Sequence, residues 1–306
     1  MNFIFIGRFR SMRFYSLSSM TVLVLTLAIA VRASDSGESG TTVPPTLSEA
    51  ASQPAGPIQD NSFLVEEAYN QEDGVIQHIS FVQPLSTGDW VYTQTDEWPM
   101  GSLKHQLSLT MSVNRSGIYA SSGPGWGDTS LNYRYQLAGS GEARLAVAPR
   151  ISLLVPTGDS TLGRGSGGWG LQTNLPISIQ HNAHLVTHWN AGLTWVPAAQ
   201  NPRHEHAAVL NPSVGQSTVW LVKPRFNALC EIVWTSNAAV SARGRTERSS
   251  SLYVSPGIRW AYNFRNGLQV VPGIALPFGI GEIAGQHGPI FYLSLEHPFR
   301  PAHSRR

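Results

Sequence analysis

The stretch LYVSPGIRWAYNF, from Leu252 to Phe264, decides the fold class of this chain because two kinds of residue alternate along it. A large apolar or aromatic side chain occupies almost every second position, and Ser, Gly, Arg, Ala or Asn lie between them. A period of two is that of a β-strand whose two faces meet different environments. The period fits a soluble sandwich, whose core is apolar, and equally a membrane barrel, whose outer surface is apolar.

The same alternation recurs along the chain between clusters of turn-forming residues. Examples are QLSLTMSV (106–113), RLAVAPRISLLV (144–155), LQVVPGIALPFGI (268–280) and PIFYLSLEHPF (289–299). In these segments the apolar face carries no Asp, Glu, Lys or Arg, and the other face consists mainly of Ser, Asn, Gln, Gly and Thr. A soluble surface is normally rich in Lys and Glu, whereas this chain has only two lysines, Lys104 and Lys223. The polar face therefore indicates a confined lumen.

We predict an all-β protein, a transmembrane antiparallel up-and-down β-barrel of about twelve strands, within a range of about ten to fourteen. In the opening stretch, the residues predicted to face lipid are Leu252, Val254, Ile258, Trp260 and Tyr262, and those predicted to face the lumen are Tyr253, Arg259 and Asn263. Prolines remove ladder hydrogen bonds, so local bulges are expected where they fall inside predicted strands. These prolines are Pro149, Pro176, Pro256, Pro272 and Pro277.

The lengths of the predicted connections alternate. Those at 114–126, 156–169, 197–215 and 236–249 are long, and AGSGE, QHNA, VKPR and FRNG, which lie between them, are short. Bacterial outer-membrane barrels have long extracellular loops and short periplasmic turns. The pattern therefore predicts an outer-membrane protein whose two mature termini are periplasmic.

The N-terminus resembles an export signal, because arginines precede an apolar run that ends near small residues. We predict a signal peptide at 1–33, a disordered periplasmic linker at 34–62, the barrel at 63–299 and a C-terminal tail at 300–306. Removing residues 1–33 takes away four basic residues and no acidic ones, which leaves a net charge of −2 and gives no basic surface for nucleic acid. The sequence leaves open whether the linker or the segment FLVEEAYNQEDG (63–74) folds inward as a plug.

Four groups of motifs together resemble a known family: GWGDTSLNYRYQL, PRISLLVPTGD with GRGSGGWGLQTNLPIS, THWNAG, and SPGIRWAYNF with GLQVVPGIALPFGIG and FYLSLEHPF. They are similar to the outer-membrane channel proteins of the meta-pathway of phenol degradation family, and the resemblance extends over roughly residues 63–299. It implies a barrel that takes up aromatic or other small hydrophobic compounds. It defines no binding residues that could be carried over to this chain.

Polar residues on the inward face are the candidate functional residues. The predicted lumen-lining set is Asp128, Asn132, Arg134, Arg150, His188, Asn190, Glu231 and Arg259. We interpret Glu231 and Arg259 as a structural pair on adjacent strands, because charges in a narrow barrel must be paired. Arg150 has no acid beside it on its own strand, so we interpret it as a selectivity residue that favours anions.

Other motifs receive structural interpretations. HEH at 204–206 lies in a Pro-flanked segment and is read as part of a solvated loop, not as a metal site. GDSTLGRGSGGWG lacks the Lys-Ser/Thr ending of a phosphate loop and is predicted to be a mobile loop. The alternation ends at Phe299, which we predict to be the signal that the barrel assembly machinery reads.

The function that these features favour is a passive outer-membrane channel or transporter for small solutes, aromatic or hydrophobic ones included. The alternative is a non-conducting barrel that has a structural role or binds a partner through its long loops. No cofactor and no enzymatic activity are predicted. The expected partners are outer-membrane lipid, the assembly machinery and a small-molecule solute.

Overall fold

Twelve antiparallel strands form the wall of a closed barrel in the computed structural model, which describes Ile58 and residues 62–86, 88–115, 123–141 and 143–299. The strands are β1 (Val75–Pro84), β2 (Trp90–Pro99), β3 (His105–Arg115), β4 (Gly125–Trp126 and Thr129–Tyr135), β5 (Leu145–Val147 and Arg150–Val155), β6 (Gly170–Asn182), β7 (Leu185–Gln200), β8 (His206–Lys223), β9 (Phe226–Val240), β10 (Thr246–Trp260 and Tyr262–Asn263), β11 (Gln269–Ala275 and Phe278–Ile280) and β12 (Ile290–Pro298).

Each strand pairs with the next, and β12 pairs with β1 along the register from Val75 opposite Pro298 to Val82 opposite Phe291, which closes the barrel. The prediction of an all-β antiparallel barrel of about twelve strands is confirmed. The predicted signal peptide, the C-terminal tail and nearly all of the predicted linker lie outside the described residues.

Helical structure in the described residues consists of two single turns, Ser160–Leu162 and Gly281–Ile283. No helix in this part of the chain is long and apolar enough to cross a membrane.

The two faces of the wall differ as the alternation predicts. In β10, Ile258 is 38% exposed on the outside, whereas its neighbour Arg259 is 1% exposed on the inside. Exposed apolar residues form a belt around the outer face, and they include Leu107, Leu131, Ile151, Leu171, Leu193, Val214, Ile232, Ile274 and Phe291. The buried residues inside are mostly polar, among them Gln77, Gln106, Asn132, Gln172, Asn174, Ser217, Asn227 and Ser294.

The barrel has two rims. We call the end that carries Val75 and Pro298 the termini rim, and the opposite end the loop rim. Two of the predicted long loops are wrong, because the chain at 197–215 and at 236–249 is mostly strand and the connections there are only 201–205 and 241–245. Ala, Pro and Asn obscure the alternation in these stretches, and pairing with the neighbouring strands imposes the extended conformation.

The two short connections hold each other at the loop rim. Asn201 Nδ2 donates to Glu205 Oε2 (2.7 Å), and the backbone N–H of Arg243 donates to Glu205 Oε1 (2.8 Å). These hydrogen bonds keep the pKa of Glu205 below its ordinary value. The wall between β7 and β10 is therefore taller than the sequence predicts.

Two of the five strand prolines, Pro149 and Pro277, lie where their strands break. Pro149 interrupts β5 next to Ala148, whose N–H donates to the carbonyl of Pro176 (3.1 Å). Pro277 interrupts β11 next to Leu276, whose N–H donates to the carbonyl of Pro256 (2.9 Å).

The prediction of bulges at Pro176, Pro256 and Pro272 is wrong, because these residues lie within continuous strands. The register shifts occur elsewhere, between Gln180 and Asn182, between Ala207 and Val209, and between Leu221 and Lys223.

Candidate functional site

Residues 62–71, which we call the lumenal segment, cross the interior as an irregular chain with bends at 63–65 and 68, in the half nearest the termini rim. A chain inside a barrel that joins no ladder has no backbone partners, so its N–H groups need other acceptors. Side chains of the wall provide them for six N–H groups. Leu64 and Val65 donate to Glu231 Oε1 (2.8 and 3.0 Å), Glu66 to Asn190 Oδ1 (2.8 Å), Ala68 to Ser178 Oγ (2.8 Å), Asn70 to Gln136 Oε1 (3.0 Å) and Gln71 to Gln106 Oε1 (2.7 Å).

Two amide side chains act on the segment as a neighbouring strand would. Asn190 accepts the N–H of Glu66 and donates from Nδ2 to its carbonyl (2.7 Å). Gln136 accepts the N–H of Asn70 and donates to the carbonyl of Ala68 (2.8 Å). This reciprocal pairing satisfies both kinds of backbone group, which explains how a peptide can lie inside the lumen.

Arg134 adds a charged clamp. Its guanidinium donates to Asn70 Oδ1 (2.9 Å) and to the carbonyls of Glu67 and Tyr69. The Glu97 carboxylate of the wall lies 3.7 Å from the same group and balances its charge. Arg134 therefore holds the segment mainly through its backbone.

Apolar contacts fix the segment at three points. Phe63 is 2% exposed and packs edge-on against Tyr292, with ring centroids 5.2 Å apart. Its ring lies over Gly257 and Gly273, where an added Cβ would approach within 2.6 and 2.5 Å, so only glycine leaves room for the ring. The other two points are Val65 against Gly215 and Ala68 against Ala146 and Ala148.

Glu66 and Arg150 form the ion pair between the segment and the wall. Arg150 Nη2 lies 2.7 Å from Glu66 Oε1, and Arg150 Nε donates to Glu66 Oε2 (3.0 Å), which is the bidentate geometry of a strong pair. The guanidinium also donates to Asn132 Oδ1 (2.8 Å), Gln172 Oε1 (2.9 Å) and Ser152 Oγ. The side chains of Arg150 and Glu66 are 9% and 17% exposed.

Most of the residues predicted to line the lumen face the interior. Asn132, Arg134, Arg150, His188, Asn190, Glu231 and Arg259 all project inward from the wall. Arg134, Arg150, Asn190 and Glu231 bind the lumenal segment directly. Arg150 is thus engaged by an acid that lies more than eighty residues away in the sequence, not free in the lumen as its own strand suggested.

Glu231 and Arg259 lie on adjacent strands, as predicted, and the charge of Arg259 acts on Glu231, but the two residues are not opposite each other. Glu231 lies opposite Ser255 and Arg259 lies opposite Asn227, four residues further along β10. Glu231 instead receives two backbone N–H groups of the segment. His188 bonds Ser178 through Nδ1 (2.7 Å) and meets the edge of the Tyr69 ring, with centroids 6.0 Å apart.

Asp128 has a different role from the one predicted. It lies between the two parts of β4 near the loop rim, where it accepts the N–H of Gly158 (3.1 Å) and both the N–H and the hydroxyl of Ser166 (2.7 Å each). The loop 156–169 that it binds also contains a helical turn capped by Asp159. The stretch predicted to be a mobile loop is therefore a tethered one with a defined conformation.

A polar row on the outer face was missed by the sequence analysis. His78 Nδ1 lies 2.7 Å from Asp96 Oδ1, and Gln94 Nε2 donates to the same oxygen (2.9 Å). Ser80 donates to Gln94 Oε1 (2.7 Å), and His78 Nε2 lies 3.2 Å from His297 Nε2. The alternation of β1 and β2 is mixed on both faces, so no pattern in the sequence indicates this row.

At the end of the wall, Phe299 donates its N–H to the carbonyl of Gly74 (2.8 Å), one step beyond the last residue of β12.

Within the described part of the chain, no three His, Cys, Asp or Glu side chains converge as a metal site would require. The candidate site in the interior consists of the lumenal segment, the wall side chains that bind it and the Arg150–Glu66 pair.

No family model matches the chain, and a search of curated proteins found no match. Among solved structures, the chain is similar to an outer-membrane channel from Pseudomonas putida F1, with a TM-score of 0.56 and 12% identity over 78% of this chain and 98% of that one. The NanC porin gives a TM-score of 0.48 with 7% identity over 73% of this chain and 100% of its own, and the KdgM porin gives 0.42 with 9% identity over 74% and 99%. The similarity to the Pseudomonas channel shows a shared barrel fold.

Proposed function

We propose that this chain is an outer-membrane channel for small solutes, with both mature termini on the periplasmic side. The observation that carries the proposal is the inversion of the usual protein pattern: a closed wall with an apolar belt outside and polar residues inside. A surface of this kind is stable in a bilayer, and a polar interior gives solutes a path. The similar fold of the Pseudomonas channel supports this reading.

The lumenal segment makes the proposed channel a closed one in its resting state. Its six N–H bonds, the Phe63 anchor and the Arg150–Glu66 pair occupy the half of the lumen at the termini rim. Conduction then requires the segment to leave its sites. Because it is attached to β1 only through 72–74, it can withdraw toward the periplasm without any change in the wall.

The proposed solutes and targeting rest on the sequence. The resemblance to the meta-pathway of phenol degradation family supports aromatic or other small hydrophobic solutes. Residues 1–33 would act as the export signal, residues 34–62 would link the mature N-terminus to the segment, and Phe299 would be read by the assembly machinery. A transport role of this kind involves no enzymatic step.

Because the lumenal segment occupies half of the lumen, one alternative is favoured: a barrel that does not conduct and serves the envelope through its loops. Liposome swelling separates the two functions. We expect liposomes that contain the full-length protein to admit arabinose, phenylalanine and 4-hydroxybenzoate faster than empty liposomes do. The Phe63→Ala variant should admit them faster still, because it loses the main apolar anchor of the segment. Swelling no faster than that of empty liposomes for both proteins would support the non-conducting barrel and overturn the channel.

A further inference from the structure

Arg150 is arranged as a receptor for a carboxylate. Its guanidinium is positioned from the wall by Asn132, Ser152 and Gln172, which are all neutral acceptors. The N–H of Nε and one N–H of Nη2 therefore point at a single carboxylate, that of Glu66. A planar fork held in this way matches the two oxygens of a carboxylate.

The anion in this receptor comes from the segment and not from the wall. Arg134, in contrast, has the wall carboxylate of Glu97 beside it. When the segment withdraws, the side chains that position Arg150 supply hydrogen-bond acceptors but no negative charge. A cation in a partly dehydrated lumen is costly without an anion, so the vacated receptor attracts one.

The surroundings of the receptor indicate what else the anion carries. Ala146 and Ala148 share the inward face of β5 with Arg150, and both are fully buried under Ala68 of the segment. Withdrawal of the segment therefore exposes a small apolar surface beside the guanidinium. A ligand with a carboxylate and a compact apolar body would satisfy both.

We infer that Arg150 is the centre of a solute site for organic carboxylates with an apolar body, and that Glu66 occupies this site as a stand-in for the solute's carboxylate while the segment is docked. The inference rests on the proposed function, in which the segment withdraws. Solute and segment then compete for one site, so the solute that the channel carries also favours its opening.

Binding to the full-length protein in detergent tests the site without requiring conduction. Benzoate titrated into the Glu66→Gln variant, followed by calorimetry, should bind at least about tenfold more tightly than benzyl alcohol, which has the same ring and no charge. Adding Arg150→Gln should remove at least about tenfold of that affinity. Arg150→Lys, which keeps the charge but not the fork, should lie between the two.

Glu72→Gln is the matched control, because it makes the same change of charge at an exposed position just beyond the segment. It should bind benzoate no better than the wild-type protein. Equal affinity for benzoate and benzyl alcohol in Glu66→Gln would overturn the site, as would an unchanged affinity after Arg150→Gln in protein whose heat-resistant folding on gels is intact. A barrel that binds benzoate through Arg150 but never conducts would overturn the channel alone.

A second and independent observation is the polar row on the outer face, formed by His78, Ser80, Gln94, Asp96 and His297. It lies near the termini rim on an outer wall that is mostly apolar, and His78 and Asp96 remain 36% and 21% exposed. A carboxylate and two imidazoles that face lipid are unfavourable. The row therefore needs a polar cover in the membrane plane.

The geometry points to a second copy of this chain as that cover. Both ring nitrogens of His78 are engaged within the row, by Asp96 and by His297, so the groups that can meet a second copy are the Asp96 carboxylate and the His297 imidazole. A copy related by a twofold axis can place its imidazole against this Asp96 and its carboxylate against this His297, which makes the row complementary to itself.

Cross-linking in membranes tests this interface. In a Cys230→Ser background, Ser80→Cys should give covalent dimers with a short bismaleimide, whereas Val214→Cys, on the outer face of the opposite wall, should not. Absence of dimers from Ser80→Cys, or equal yields from the two positions, would overturn the interface.

Discussion

Replacing Phe63 by Ala should release the lumenal segment while leaving the wall intact. The side chain is 2% exposed and fills the space over two glycines against Tyr292. Truncation of a buried Phe to Ala typically costs about 3–5 kcal/mol. The ring contacts only the inside of a wall whose ladders do not depend on it. The lost free energy therefore weakens the docking of the lumenal segment and not the folding of the barrel. At 1.4 kcal/mol per factor of ten, the docked population should fall by roughly two to three and a half orders of magnitude.

Hydrogen exchange measures this change directly. The backbone N–H groups of residues 64–66, 68, 70 and 71 donate to wall side chains, so their protection reports the docked state. In Phe63→Ala these amides should exchange about 10² to 10³ times faster, whereas the amides of β8 and β9 should not change.

Phe291→Ala is the control, because it removes the same ring from the outer face, where Phe291 is 50% exposed and does not contact the segment. Its segment amides should stay protected. Unchanged protection of the segment in Phe63→Ala would refute the reasoning, and so would an equal loss of protection in Phe291→Ala.

Three further predictions concern the wall and its ends. Ile274→Arg, at mid-height on the outer face of β11, should lower the free energy of unfolding in liposomes by about 2–4 kcal/mol, whereas Ile280→Arg on the same face at the loop rim should cost about 0–1 kcal/mol; equal costs would contradict the assigned depth. Asp128→Ala removes three hydrogen bonds to the loop 156–169, so trypsin should cut at Arg164 faster than in the wild-type protein, and an unchanged rate would mean that other contacts hold the loop. Removing the C-terminal tail should leave heat-resistant folding on gels intact, whereas removing Phe299 as well should impair it; the opposite order would place the assembly signal in the tail.

The sequence predicts the wall well because the period of two reports directly on two environments. In β10, the alternation of Ile258 and Arg259 alone gives the correct inside and outside. It fails where the pattern is weak: residues 206–212 contain Ala, Pro and Asn, and only pairing with β7 makes them a strand. The same weakness in β1 hides the outward position of His78.

The interior was predictable as a set of residues but not as a site. The inward faces of the strands identify Arg150 and Glu231 as lumenal. Their partners lie in the lumenal segment, more than eighty residues away, and bind partly through backbone N–H groups that any sequence possesses. Contacts of this kind leave no periodicity, so they emerge only from the three-dimensional structure.

A reversible lock on the lumenal segment tests the central claim most directly. A Cβ built on Gly215 lies 3.0 Å from Val65 Cγ2, so Val65→Cys with Gly215→Cys, in a Cys230→Ser background, should form a disulfide that holds the segment in place. Val65→Cys alone in the same background is the control for the mutation and for the redox treatment. In planar bilayers, we expect the oxidised double-cysteine protein to show almost no openings and the same protein, once reduced, to show discrete conductance steps. An oxidised protein that conducts as well as the reduced one would contradict the claim that this segment closes the channel.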